Sequence, residues 1–174
     1  MSKHHPLMAG ALAGVLALGL FTGCATRYRL GSMLPDDIQT VAVPTFQNDS
    51  AEPQVEIQAT RATIAQLQQD GSLEVVDLGQ ADTVLKVRIT GYELRPIDFD
   101  DENTRRADEY RMTLTADVVL VRRSTGEVVS QRSGVSGQAE FQASGGLTSA
   151  RRSAMPAAAE DLARQIVDAV VDMW

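Results

Sequence analysis

The chain has 174 residues, 44% of them hydrophobic, with 16 basic against 23 acidic side chains and a net charge of −7. An acidic chain with no long basic run is a poor partner for nucleic acid. There is one cysteine, and both histidines, His4 and His5, stand at the extreme N-terminus. That excludes an internal disulfide and leaves the body of the chain without the residues for a Ser-His-Asp triad, a Cys-His pair or a His- or Cys-ligated zinc site. Only carboxylate, Lys or Tyr chemistry remains, so no enzymatic activity, cofactor or metal is expected.

The N-terminus carries Lys3, then an unbroken apolar run from Leu7 to Phe21, then Thr22, Gly23 and Cys24. A membrane span needs ~20 apolar residues, so this run is short for a spanning helix and suits a signal-peptide core. Two small residues leading into a cysteine resemble the lipobox of bacterial lipoproteins, with Phe21 where Leu is usual. The resemblance implies cleavage before Cys24 and a diacylglycerol on its sulfur. Cys24 is therefore read as a lipid anchor rather than as an incidental residue behind an ordinary secretory leader. Ala25 after it, instead of Asp, favours sorting to the outer membrane by the same resemblance. Acyl chains contribute ~0.8 kcal/mol per buried methylene, enough for three to anchor a domain without a spanning helix.

Removing residues 1–23 as a lipoprotein signal peptide leaves about 150 residues, one domain by size. Residues 24–37 form the lipidated N-terminus and a short tether, and 38–174 a single domain. Within it, "IQTVAVPTF" (38–46) sets Val41 and Val43 on one face and reads as a short strand. "NDSAEP" supplies turn and capping residues, with Pro53 suited to a first helical turn. From Gln54 to Asp70 there is no Gly or Pro, and Ile57, Thr60, Ile64 and Leu67 recur at helical spacing. Gly71 is the expected stop.

Three strands follow. "ADTVLKVRITGYEL" (81–94) turns Leu85, Val87 and Ile89 one way and Lys86, Arg88 and Thr90 the other. "YRMTLTADVVLV" (110–121) puts Met112, Leu114, Ala116, Val118 and Leu120 inward. After the turn "RSTGE", residues 128–141 complete a meander, in which Gly134 and Gly137 suggest a bulge or bend. The last helix is expected after "ARRSAMP", running to Trp174, with Leu162, Ile166, Ala169, Val170 and Met173 as its apolar stripe and Glu160 and Asp161 in its first turn. The expected class is α+β in the order β-α-β-β-β-α, a four-stranded sheet with two helices packed on one face and the other face left for solvent or a partner.

The chain from Cys24 to Trp174 resembles the LptE family of outer-membrane lipopolysaccharide-assembly lipoproteins. The motifs that carry it run in order: Tyr28-x-Leu30, Leu34-Pro35-x-x-Ile38, Val43-x-x-Phe46-x-Asn48, Ala81-Asp82-x-x-Leu85 and Glu109-Tyr110-x-x-x-Leu114, behind a lipobox. The resemblance implies a lipid-anchored protein on the periplasmic side of the cell outer membrane. It would plug the lumen of a large β-barrel, LptD, assist its assembly and bind lipopolysaccharide on its way to the outer leaflet.

In that family basic residues at one end of the sheet meet the phosphorylated lipid, and the nearest candidates here are Arg105, Arg106, Arg151 and Arg152. Strand direction brings both pairs to one end of the sheet, where guanidinium forks suit phosphate. The alternative is that they are solvated charges, the first pair neutralised by Asp98, Asp100, Asp101 and Glu102. That acidic run, "DFDDEN" (98–103), lacks the Gly and the distal Glu of an EF-hand loop and reads as a solvated loop rather than a cation site. Tyr92 and Tyr110 flank the same loop and are placed to pack beneath it, and Trp174 reads as a core or rim residue.

"VAVPTFQN" is also similar to the first strand of small lipoproteins that activate peptidoglycan synthases or act in curli-like secretion assembly. An activator reaching the cell wall needs a long tether, and only "ATRYRLGSMLPDD" lies between Cys24 and the first strand. The short tether favours the barrel plug. A carboxylate hydrolase has only the acidic loop in its favour.

Overall fold

In the computed structural model, which describes residues 34–35, 37–99, 107–143 and 146–171, the chain order is β1 (Thr40–Ala42), β2 (Gln47–Asn48), α1 (Val55–Asp70), β3 (Glu74–Val75), β4 (Thr83–Phe99), β5 (Ala107–Arg122), β6 (Val128–Gln142) and α2 (Leu147–Val171). The α+β class holds, with two helices among the described residues. The sheet, however, is mixed and has six strands among those residues in place of four, in the order β3-β1-β4-β5-β6 with β2 also on β4.

The difference has two sources. The strand expected over 38–46 is broken in two. β1 runs parallel to β4 with Val41 opposite Thr83, and β2 rejoins β4 further along with Gln47 opposite Arg88. Between them Pro44 has no N–H to give, and the Phe46 N–H leaves the sheet to donate to Thr60 Oγ1 at 3.0 Å. The second source is β3, too short to show a period, which lies parallel to β1 just past the helix stop. Its flanking amides donate across: Glu74 N–H to Gln39 O at 2.9 Å and Val76 N–H to Val41 O at 3.0 Å.

β4, β5 and β6 form the expected antiparallel meander. Leu85, Val87, Ile89, Met112, Leu114, Ala116, Val118 and Leu120 are all buried, as their alternation requires. A register shift after Ile89 carries Tyr92 and Leu94 onto the same packed side. Gly134, at φ 70°, marks a bulge opposite Asp117.

α1 ends where expected, its Gly71 at φ 75° donating to Leu67 O at 3.0 Å. Pro53 stands before the helix rather than in its first turn, and Gln54 caps it in a left-handed conformation without a side-chain bond. Its buried face is Val55, Ala59, Thr60, Thr63 and Leu67, while Ile57 is 40% exposed and Ile64 only half-buried. The apolar spacing had pointed about one position away. Small side chains won because α1 packs against α2, and close helix approach favours Ala and Thr over Ile.

α2 begins at Leu147, well before Pro156, which sits inside the helix with its ring exposed. Glu160 and Asp161 are therefore mid-helix and no acidic residue occupies the first turn. Pro156 costs the Arg152 carbonyl its helical partner, a loss made tolerable by the buried stripe beyond it. Leu162, Ile166 and Val170 are fully buried and Ala169 partly so; Met173 and Trp174 lie outside the described residues. α2 rests on β5 and β6 and α1 rests on α2, β2 and β3, around one shared core.

Candidate functional site

The described motif residues serve largely as fastenings of the sheet and its core. Asp82 Oδ2 accepts from the Gln39 N–H at 3.1 Å, the Thr40 N–H at 3.0 Å and the Thr40 hydroxyl at 2.7 Å. Thr40 Oγ1 accepts in turn from the Asp82 N–H at 2.8 Å, and Thr83 Oγ1 donates to Thr40 O at 2.9 Å. The Thr40 hydroxyl first, then the Gln39 amide, hold the Asp82 carboxyl below its ordinary value; burial opposes them, and Arg123 adds to the lowering. Asn48 does the same for the turn into α1. Its Nδ2 donates to Glu52 O at 2.9 Å and Glu56 Oε2 at 2.8 Å, while its Oδ1 accepts from the Ser50 N–H and hydroxyl. Ile38 and Phe46 are core residues, and Tyr110 stacks on Phe141 with centroids 6.0 Å apart. Among the described residues, these motifs hold the fold.

Of the four arginines singled out from the sequence, Arg105 and Arg106 lie outside the described residues, as do Cys24, Asp100, Asp101 and Glu102. Backbone register brings the ends that flank them together: Asp98 pairs with Glu109, and Glu109 with Gln142, close to the start of α2. Arg151 and Arg152 sit on α2 itself rather than in a loop. Arg151 is not free, because its Nη1 stands 3.4 Å from Glu52 Oε2, and Glu52 is only 16% exposed. The Tyr92 hydroxyl is closed off from solvent and lies near this pair without a hydrogen bond of ordinary geometry. Burial pushes its pKa up, Arg151 pulls it down and Glu52 raises it again. Arg152 is exposed and has no ion pair among the described residues. Tyr92 and Tyr110 are not neighbours across the sheet: Tyr92 is opposite Leu114, and Tyr110 opposite Pro96.

The polar face of the sheet holds a feature the sequence reading passed over. Between the β1–β2 connection and the meander is an open groove of ≈ 660 Å³, lined by Pro44, Gln47, Lys86, Arg88, Asp117 and Val119 among others. Arg88 reaches Asp49 at 3.3 Å, whereas Lys86 has no ion pair among the described residues. The alternation had shown Lys86 and Arg88 pointing outward, but nothing local reveals that the broken first strand makes a wall beside them. Among the described residues no group of three or more His, Cys, Asp or Glu is placed to hold a metal, and no helix is long and apolar enough to cross a membrane.

The sequence model of the LptE family, described as lipopolysaccharide-assembly, matches residues 38–170. The chain belongs to the LptE family. Family membership thus spans the described domain, from the core residue Ile38 to Val170 at the end of the α2 stripe. No curated protein matches the chain by sequence. Among solved structures, a Xanthomonas campestris protein is 12% identical, covering 81% of this chain and 89% of its own, at a TM-score of 0.52. A Chlamydia trachomatis protein is 11% identical over 76% of this chain and 98% of its own, at 0.50. At those identities the likeness to this LptE-family chain is one of fold. A minor lipoprotein from Acinetobacter baumannii is 15% identical over 74% and 88% of the two chains, at 0.48.

Proposed function

We propose that this chain is a non-enzymatic outer-membrane lipoprotein, anchored through an acylated Cys24, that seats its domain in the lumen of the LptD β-barrel and assists lipopolysaccharide assembly. The observation that carries the reading is the family match over 38–170. The polar sheet face supports it: Lys86, Arg88 and Thr90 on β4 are exposed, with Thr113, Thr115 and Asp117 half-buried beside them. A wet barrel lumen accepts such a surface, while a lipid-facing site does not. Lipopolysaccharide would meet the end of the sheet where β4 leaves, β5 enters and α2 begins, through Arg105, Arg106 and Arg152. Arg151, held by Glu52, would contribute there as part of the support.

The test is to purify the full lipidated chain from outer membranes in mild detergent. A single large barrel subunit should accompany it in equal amount, and Cys24→Ala should lose both palmitate-analogue labelling and stable membrane attachment. Recovery of a peptidoglycan synthase with no barrel, or equal labelling of the Cys24→Ala chain, would contradict the reading.

A further inference from the structure

β6 is the last strand of the sheet, so one side of its backbone meets no neighbouring strand. In an antiparallel pair the residues alternate, every second N–H and C=O turning away from the partner. The Gln138 N–H is one that turns away, and it does not go to water. It donates to Asp161 Oδ2 on α2 at 2.8 Å.

The reach is possible because of Gly137. A Cβ there would stand 2.1 Å from the Leu162 nitrogen, so the α2 backbone lies directly on β6 only where there is no side chain. Asp161 is held in place from its other oxygen by Arg164 Nη2 at 2.7 Å, and its side chain is 28% exposed. Open edges elsewhere are blunted by other means. β3 is two residues long. β4 beyond its contact with β2 carries Pro96 and three register shifts, and both features spoil strand addition. At the near end of β6 the Gly134 bulge gives its N–H to Asp117 Oδ1 at 3.1 Å. What is left is Val135–Gln142, long and regular enough to pair.

We propose that the Val135–Gln142 edge of β6 is a strand-pairing surface for a second copy of this chain, kept shut by the Asp161 carboxylate on Gln138. A strand that pairs with itself about a two-fold axis is self-complementary by symmetry. Centred on Gln138, the antiparallel register sets Ser136 across from Glu140 and Val135 across from Phe141, so no like charges meet. The side chains of β6 therefore raise no barrier. Asp161 raises one: it occupies the central amide, and closing the pair would drive two carboxylates together at the axis while stripping their water. The inference stands apart from the barrel reading.

The test uses the full chain in detergent, followed by light scattering after size exclusion and by amide hydrogen exchange. The wild type should be monomeric. Its Gln138 amide should exchange on the order of tenfold more slowly than that of Glu140, which lies on the same edge with no such acceptor among the described residues. Asp161→Ala should dimerise. Asp161→Asn, which keeps an accepting oxygen, should stay monomeric, and adding Gln138→Pro to Asp161→Ala should restore the monomer by removing the pairing amide. A folded Asp161→Ala chain that stays monomeric overturns the proposal, as does a dimer that survives Gln138→Pro. Should Asp161→Ala not fold, the wild-type exchange decides: a Gln138 amide as fast as that of Glu140 overturns it, and a slower one supports it.

Discussion

At the Thr83 end of the meander Leu85, Ile89 and Leu120 are fully buried, and Asp82 ties β1 to β4 through three accepted hydrogen bonds. At the Phe99 end the same strands carry Tyr92, Leu94, Tyr110 and Phe141, all only half-buried. The ion pairs there, Arg95–Glu93 and Arg111–Glu140, are largely exposed and contribute ~1 kcal/mol or less each. One end, the scaffold, is fastened through Asp82 over fully buried side chains; the other, the open end, carries aromatic side chains that stay half-buried. Most of the described motif residues lie in the scaffold, with Glu109 and Tyr110 at the open end, so the motifs identify the fold.

The largest loss of stability is expected where α2 meets the sheet. Gly137→Val puts a branched side chain into the Leu162 backbone; the helix must lift, and stability should fall by roughly 3 kcal/mol or more. Urea unfolding reads this directly, and a wild-type midpoint would show that α2 lifts freely. A smaller loss is expected at the scaffold fastening. Asp82→Ala should cost roughly 1–2 kcal/mol, since its bonds are charge-assisted but partly exposed.

The Asp82 contribution also has a pH window. Its carboxyl is held below its ordinary value in the folded chain, so its stabilisation is fully present above the unfolded value of ~3.9 and disappears as pH falls through the lower folded one. The stability gap between wild type and Asp82→Asn should hold steady from about pH 7 to 5 and shrink below about pH 4. A gap that instead grows in acid would reverse the assignment. The smallest effect belongs to the open end. Tyr110→Ala removes a half-buried stacked pair worth about 1 kcal/mol. Faster amide exchange should be confined to residues 108–112 and 139–142, leaving Leu85 and Leu120 protected.

The meander was legible because its alternation is strict, as Leu85, Val87 and Ile89 and then Met112 to Leu120 show. Gly71 was legible as a stop because a left-handed cap there favours glycine. The broken first strand was not, since whether Phe46 pairs with a strand or with Thr60 is decided by how α1 packs, which no pattern within 38–46 reveals. Nor was the buried face of α1, because packing against a second helix rewards Ala59 and Thr63 over Ile57. α2 starts early despite Pro156, since tertiary burial of Ala154 and Met155 outweighs the local signal. Gly137 reads in the sequence as a bulge or bend, and in the structure it is the contact that lets α2 sit down. Of the candidate site, nothing in the sequence reveals that Arg151 is tied to Glu52.

Under the proposed function, lipopolysaccharide binds the open end and not the scaffold end. This is tested most directly by the lipopolysaccharide affinity of the full chain in detergent, with Arg105, Arg106 and Arg152 changed together to Glu, beside Asp82→Asn and with circular dichroism for each. Arg151 stays, because reversing it would set two carboxylates together at Glu52. The triple variant should keep its fold and lose affinity by ~10-fold or more, since each charge-assisted bond to phosphate is worth ~1.5–3 kcal/mol, while Asp82→Asn binds as the wild type does. A folded triple variant with unchanged affinity would contradict the account.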